Sequence, residues 1–214
     1  MSAAKRRPLE ALTSDERLES ARAILRGYRP WSDEQAEVRD RVLAFTEEHD
    51  DAALRTCVPG HLTASALVLD AEGRRGLFTH HKKLGLWLQL GGHCDGETNL
   101  VRAALLEAIE ESGITGLAID PDPIDVDIHS IPAHKSDPEH LHLDTRFLVW
   151  APPGAVEVCS EESIELRWIE LERLDQLDTD DSVCRLARLV SSRSQGSERD
   201  QSRPGTLPAA LPDR

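Results

Sequence analysis

The segment from Gly85 to Ile114 constrains this chain most, because it forces three conformations in succession. Gly85 to Leu90 reads as extended chain, and the Gly91-Gly92 pair then breaks it. A helix is predicted to follow from about Asn99 to Ser112, with Gly113 as its stop. Val101, Ala104, Leu105 and Ala108 recur at helical spacing and offer one apolar arc for burial. Glu107, Glu110 and Glu111 gather on another arc, because residues three and four apart share a helix face. Like charges at this spacing cost a helix roughly 0.2–0.5 kcal/mol per pair, so helix stability gives no reason to place them together. A hard divalent cation gives one: Mg²⁺ or Mn²⁺ takes oxygen ligands and bridges carboxylates to phosphates. The competing reading is an ordinary solvated acidic face.

The flanking sequence supplies the rest of a mixed α and β chain. Thr13 with Glu16, and Ser32 with Gln35, have capping-box spacing and predict two N-terminal helices. Their apolar stripes are Leu18, Ala21, Leu25 and Val38, Val42, Phe45. Thr63–Leu69, a turn at Asp70–Arg75, and Gly76–His80 read as a hairpin. Strands are predicted at Ile124–Ile131, His140–Trp150 and Glu165–Ile169. Asp180 can cap a last helix with the stripe Val183, Leu186, Val190. Three parts result: an N-terminal helical segment over 1–56 packing on the core, a main domain over 57–190, and a Ser-, Pro- and charge-rich tail over 191–214 expected to be disordered.

Composition narrows the function classes. A formal charge of −14 opposes nonspecific nucleic-acid binding, which needs a basic face. A small anionic substrate is still allowed if local cations or metal ions offset the repulsion. The chain has no uncharged apolar run of spanning length and no apolar segment after its basic start, so no membrane partner is expected. Four widely spaced cysteines without a C-x-x-C pair fit reduced thiols and a cytoplasmic setting. A homodimer is compatible with the sequence but not required by it.

The segment Gly91-Gly92-His93-Cys94-Asp95-Gly96-Glu97-Thr98, with Glu107-Ala108-Ile109-Glu110-Glu111-Ser112-Gly113-Ile114, resembles the Nudix box, G-x5-E-x7-R-E-U-x-E-E-x-G-U, where U is aliphatic. Glu107, Glu110, Glu111, Gly113 and Ile114 match its second half, and Gly92 falls on its first glycine. Thr98 stands where the family has its first glutamate, with Glu97 one residue early, and Leu106 stands where it has arginine. A one-residue-tighter loop with Glu97 in service and Arg102 as the brace would reconcile the two. Pro59–Ala66 and His80–Gln89 also resemble segments that precede the box in one bacterial Nudix branch, so about residues 58 to 175 are covered.

The resemblance implies a Nudix-type α/β/α sandwich with a mixed β-sheet, an α+β fold, preceded by the N-terminal helical segment. It implies Mg²⁺ or Mn²⁺ on Glu107 and Glu111, with Glu110 and the Gly91 carbonyl assisting. The reaction implied is hydrolysis of a diphosphate linkage in a nucleoside diphosphate derivative or related phosphoanhydride. The base is Glu107, or a glutamate of the loop before the last strand, Glu161 or Glu162, with Glu162 favoured.

Strand alternation places His140, His142, Asp144 and Arg146 on one face, opposite Leu141, Leu143, Thr145 and Phe147. On this reading Arg146 grips a phosphate, the two histidines donate to phosphate or ribose oxygens, and Lys82 and Lys83 add positive charge. H-x-H-x-D is alternatively the core of a zinc hydrolase site, with His93, His129 and His134 as possible further ligands. A Nudix-fold nucleotide sensor without turnover is a third reading, motivated by Thr98 and Leu106. A change to isomerase chemistry is also compatible, because a fold does not fix its reaction. Trp87, Phe147 and Trp150 are the rings nearest the site in sequence for stacking a base, in a chain with 4% aromatic residues.

Overall fold

The computed structural model describes residues 5–133, 138–159 and 163–201. In chain order the elements are β1 (Arg7–Pro8), α1 (Leu18–Gly27), α2 (Asp33–Glu48), β2 (Gly60–Leu69), β3 (Arg75–His81), β4 (Trp87–Leu88) and β5 (Leu90–His93). These lead into α3 (Leu100–Ser112), β6 (Ala118–Ile119), β7 (Asp125–Ile131), β8 (His140–Trp150), β9 (Ser163–Glu170) and α4 (Asp181–Gln201). Short 3₁₀ turns at Leu9–Ala11 and Leu171–Gln176 complete the set.

Every residue of β2 is buried, which requires cover on both faces of its sheet. β2 runs parallel to β8 from Gly60↔Leu141 to Leu69↔Trp150. Such a parallel pair needs a long crossover, and β3 to β7 with α3 provide it. The opposite edge of β2 is divided: its start pairs antiparallel with β5, from Thr63↔His93 to Ala66↔Leu90, and its end with β3, at Val68↔Leu77 and Leu69↔Gly76. β7 pairs antiparallel with β8, and β9 with β3, so the sheet is mixed.

Period-two alternation sorts the strand residues between two apolar clusters. Leu62, Ala64, Ala66 and Val68 join Leu143, Phe147 and Val149 against Val101, Ala104, Leu105 and Ala108 of α3, with Ala21, Leu25 and Val42 of the N-terminal helices. Leu67, Leu69, Phe78, Leu148 and Trp150 pack with Val183, Leu186 and Val190 of α4. Helices therefore cover both faces, giving the α/β/α sandwich.

Element boundaries follow local chemistry. Ser32 Oγ accepts from the Gln35 amide at 3.2 Å and starts α2, as its spacing predicts. The Gln35 side chain does not reach back to close the box; it accepts from Tyr28 Oη at 2.9 Å and donates to the Val126 carbonyl at 3.0 Å, tying α2 to β7. The Thr13–Glu16 spacing does not start α1, which begins after Arg17 without a side-chain cap. Asp180 Oδ1 accepts from the Val183 amide at 2.9 Å and caps α4. That helix extends to Gln201, past the Val190 limit read from periodicity; residues 202–214 lie outside the described residues. Among the described residues, no helix is long and apolar enough to cross a membrane.

Candidate active site

β5 ends in Gly91, Gly92 and His93, and the last two turns of α3 lie against it. Glu111 Oε2 accepts the Gly91 amide proton at 2.8 Å. The Glu107 carboxylate occupies the space a side chain would fill at Gly92: an added Cβ would sit 2.5 Å from Glu107 Oε2 and 2.7 Å from its Cδ. Gly91 has φ +149°, and a Cβ there would meet Ser65 Cα at 2.6 Å. Gly91 is thus required by its close approach to the β2 backbone, whereas a side chain at Gly92 would displace the Glu107 carboxylate. Glu107 and Glu111 are half-buried, whereas Glu110 is exposed at the helix edge. Two oxygen-donor side chains therefore converge on one short backbone segment, which suits a hard divalent cation. The Gly91 carbonyl belongs to the same segment.

The irregular first half of the box has a structural reason. Glu97 Oε2 pairs with Arg102 Nη1 at 3.0 Å, so Arg102 braces the loop in place of the residue at Leu106. Glu97 Oε1 also accepts from the amides of Asp15 and Asn99, each at 2.9 Å. Thr98 is buried, and its hydroxyl lies 2.8 Å from the Asp15 carbonyl and 2.9 Å from that of Arg17. Its amide donates to the Asp15 carbonyl at 2.7 Å. The chain before α1 is consequently strapped to the start of α3, which is why the Thr13–Glu16 spacing is not spent on a helix cap. Asp95, with φ +48°, and Gly96, with φ +94°, turn the loop, and Arg55 holds Asp95 through contacts of 2.7 and 2.6 Å.

Arg146, expected from the sequence to grip a phosphate, is buried and engaged with side chains of the protein instead. It is 2% exposed. Its Nε donates to Asp144 at 2.8 Å, Nη2 to Asp127 and Ser182 Oγ at 3.0 Å each, and Nη1 to the Ser182 carbonyl at 3.3 Å and Asp125 at 3.4 Å. A guanidinium has five N–H donors, so these contacts leave none for a substrate. Arg185 of α4 adds contacts of 2.8 Å to Asp125 and 2.9 Å to Asp127. Burial pushes the Asp125 carboxyl up, against the pull of Arg185 and Arg146. Burial also works to raise Asp127, but His129, Arg146 and Arg185 outweigh it and hold that carboxyl low. Alternation placed Arg146 on the right face; what it could not show is that α4 covers that part of the face.

Asp144 is likewise committed, accepting from Thr63 Oγ1 at 3.1 Å and Ser65 Oγ at 2.9 Å besides Arg146. The H-x-H-x-D zinc set therefore loses its carboxylate. His140 and His142 do face together, and β2 brings His61 beside them, since His61 and His142 are register partners. The His61 ring lies 5.0 Å from each of the other two, centroid to centroid. His93 lies 4.9 Å from His61 and 5.0 Å from His142, and His129 lies 5.4 Å from His142. Burial, reinforced by neighbouring cationic and imidazole groups, pushes His93 down to about 4 and His142 down to about 2. His61 is lowered by burial and by His140; the Cys57 carbonyl works in the other direction without the geometry of a full hydrogen bond. His93 and His142 are thus neutral at pH 7. His61 was missed because only the parallel β2–β8 register joins it to His142.

Lys82 and Lys83 are exposed in the turn between β3 and β4. Glu161, Glu162 and His134 lie outside the described residues. Of the stacking candidates, Phe147 is in the core under α3, Trp150 is in the core under α4, and Trp87 is buried with His80 stacked on it at 5.0 Å.

The NUDIX domain family model matches residues 59–186. No curated protein matches. Among solved structures, a Caenorhabditis elegans Ap4A hydrolase in a binary complex aligns at 20% identity with TM-score 0.51, covering 63% of this chain and 98% of that one. RenU, a Nudix hydrolase from Mycobacterium smegmatis, aligns at 20% identity over 65% and 88% with TM-score 0.46. A MutT protein from Methanosarcina mazei Go1 aligns at 18% identity over 65% and 96% with TM-score 0.45. At these identities the likeness concerns fold, while the family match covers more than half of the chain. This chain therefore belongs to the NUDIX family, and its reaction class is that of a Nudix pyrophosphohydrolase.

Proposed function

We propose that the chain hydrolyses a diphosphate linkage in a nucleoside diphosphate derivative or related phosphoanhydride, using Mg²⁺ or Mn²⁺ held by Glu107 and Glu111. The convergence of these two carboxylates on the Gly91–Gly92 backbone carries the reading. Glu110 and the Gly91 carbonyl complete the donor set. When bound, the ion screens phosphate charge and lowers the pKa of a water it holds. Gly92 leaves room for the Glu107 carboxylate at the end of β5, and the Glu97–Arg102 brace holds the loop that presents it. Glu107 or Glu162 takes the proton of the attacking water, with Glu162 favoured. With a net charge of −14, the chain needs positive charge near an anionic substrate. Lys82 and Lys83 offer it from an exposed turn, while His140 and His142 contribute imidazole donors.

The test is release of phosphate-containing product from a panel of nucleoside diphosphate derivatives with and without Mg²⁺. Ap4A, the compound named for the C. elegans hydrolase, belongs in that panel. Mg²⁺-dependent cleavage of at least one member is the expected result. Tight nucleotide binding without turnover across the panel would replace the hydrolase with a sensor. Glu162→Gln assigns the base: lost turnover with Mg²⁺ still bound names Glu162, and retained turnover leaves Glu107.

A further inference from the structure

A second group of donors, chemically unlike the carboxylates of α3, lies at the starts of β2 and β8. His61, His140 and His142 each offer a ring nitrogen, and these three atoms lie within 4.8 Å of one another. A tetrahedral zinc site with bonds of about 2.0–2.1 Å has its ligand nitrogens roughly 3.3 Å apart, so small ring movements would close this group around an ion. His61 is 4% exposed, yet among the described residues neither of its ring nitrogens has a hydrogen-bond partner, and buried Nε2 of His142 also lacks one. Burying such groups unsatisfied costs about 1–3 kcal/mol each, which three facing imidazoles do not relieve by bonding one another here. His140 is already oriented: its Nδ1 lies 2.8 Å from the Pro138 carbonyl. A carbonyl only accepts, so Nδ1 carries the proton and Nε2 keeps its lone pair, the arrangement usual for a metal-bound histidine.

We propose that His61, His140 and His142 form a site for a late first-row divalent cation of the Zn²⁺ class, separate from the Mg²⁺ or Mn²⁺ site of the box. Neutral imidazoles select zinc-like ions, whereas carboxylates and carbonyls select the harder ones, so the two sites sort ions by donor type. Three protein ligands leave a fourth tetrahedral position for water or an anion. The ion would also tie the parallel neighbours β2 and β8 together at their first residues, beside His93 at the mouth of the box loop. The inference stands independently of the hydrolase assignment, because its readout is ion binding with Mg²⁺ absent.

The full chain, stripped with a chelator, is titrated with Zn²⁺ against a chromophoric competitor, and separately with Co²⁺ for its visible spectrum. The expected result is one Zn²⁺ per chain and a tetrahedral, nitrogen-ligated Co²⁺ spectrum. His61→Ala and His142→Ala should each weaken Zn²⁺ by more than the ~10–100-fold that loss of an outer-shell partner costs. Glu111→Gln should leave the affinity unchanged, as should Cys57→Ser, which disables the other described donor group, His49, Asp51 and Cys57. The proposal is overturned by absence of stoichiometric Zn²⁺, by binding that survives both histidine variants, or by loss in Cys57→Ser or Glu111→Gln. Should the alanine variants fail to fold, the wild-type Co²⁺ spectrum still decides: an octahedral oxygen spectrum or a thiolate charge-transfer band would refute it.

Discussion

Gly92 shows how strongly one position can be set by the chemistry beside it. Its missing side chain is the space in which the Glu107 carboxylate lies, so Gly92→Ala must displace that carboxylate. Displacements near 1 Å cost up to ~10²-fold in rate, and a loss of about that size in Mg²⁺-dependent turnover, with unchanged circular dichroism, is expected. Arg146 makes the opposite case, because its role is cohesion. Arg146→Met leaves buried Asp144 without its cation and buried Asp125 with Arg185 alone. Breaking a buried pair in this way costs about 3–5 kcal/mol, to be read from urea unfolding. Lysine should not rescue it, since one ammonium cannot replace five donors in a planar fork. A raised KM with unchanged stability would instead restore Arg146 to substrate binding. In the sequence, the glutamates and glycines of the box were legible because their spacing is local. The commitments of Arg146 and Asp144 were not, because Asp125, Asp127, Thr63, Ser65, Ser182 and Arg185 arrive from other elements.

At the scale of elements, α3 is the part most fully written in its own residues. Its apolar arc is buried, Asn99 stands at its N-cap, and Gly113 ends it with φ +64°. The start of α1 was not legible, because Thr13 to Arg17 answer to Glu97, Thr98 and Asn99 more than 80 residues away. Thr98 is the joint between the two. Thr98→Val keeps its shape but removes the hydroxyl that reaches the Asp15 and Arg17 carbonyls, each of which keeps one backbone amide donor. A loss of about 0.5–1.5 kcal/mol in chemical denaturation, the net worth of one hydrogen bond, is expected. Asn99→Ala, which removes the cap and its bond to the Thr13 carbonyl, should cost roughly 0.5–2 kcal/mol. Insensitivity of stability to both changes would mean that the strap does not hold the loop.

Across the whole molecule, one sheet separates two apolar clusters and carries polar groups at the starts of its central strands. Alternation foresaw the two faces, and the strand and helix order foresaw the mixed α and β class. It did not foresee which helix covers which face, since that depends on the β2–β8 crossover. α4 closes the second face through Leu186, which is fully buried, so Leu186→Ala should destabilise the fold by about 2–5 kcal/mol while leaving the α3 carboxylates in place. The central claim is that those carboxylates perform the chemistry, and Glu111→Gln tests it most directly. Product release with Mg²⁺ should fall to background in this variant while its melting temperature stays at or above that of the native chain. Turnover equal to the native chain would contradict the account.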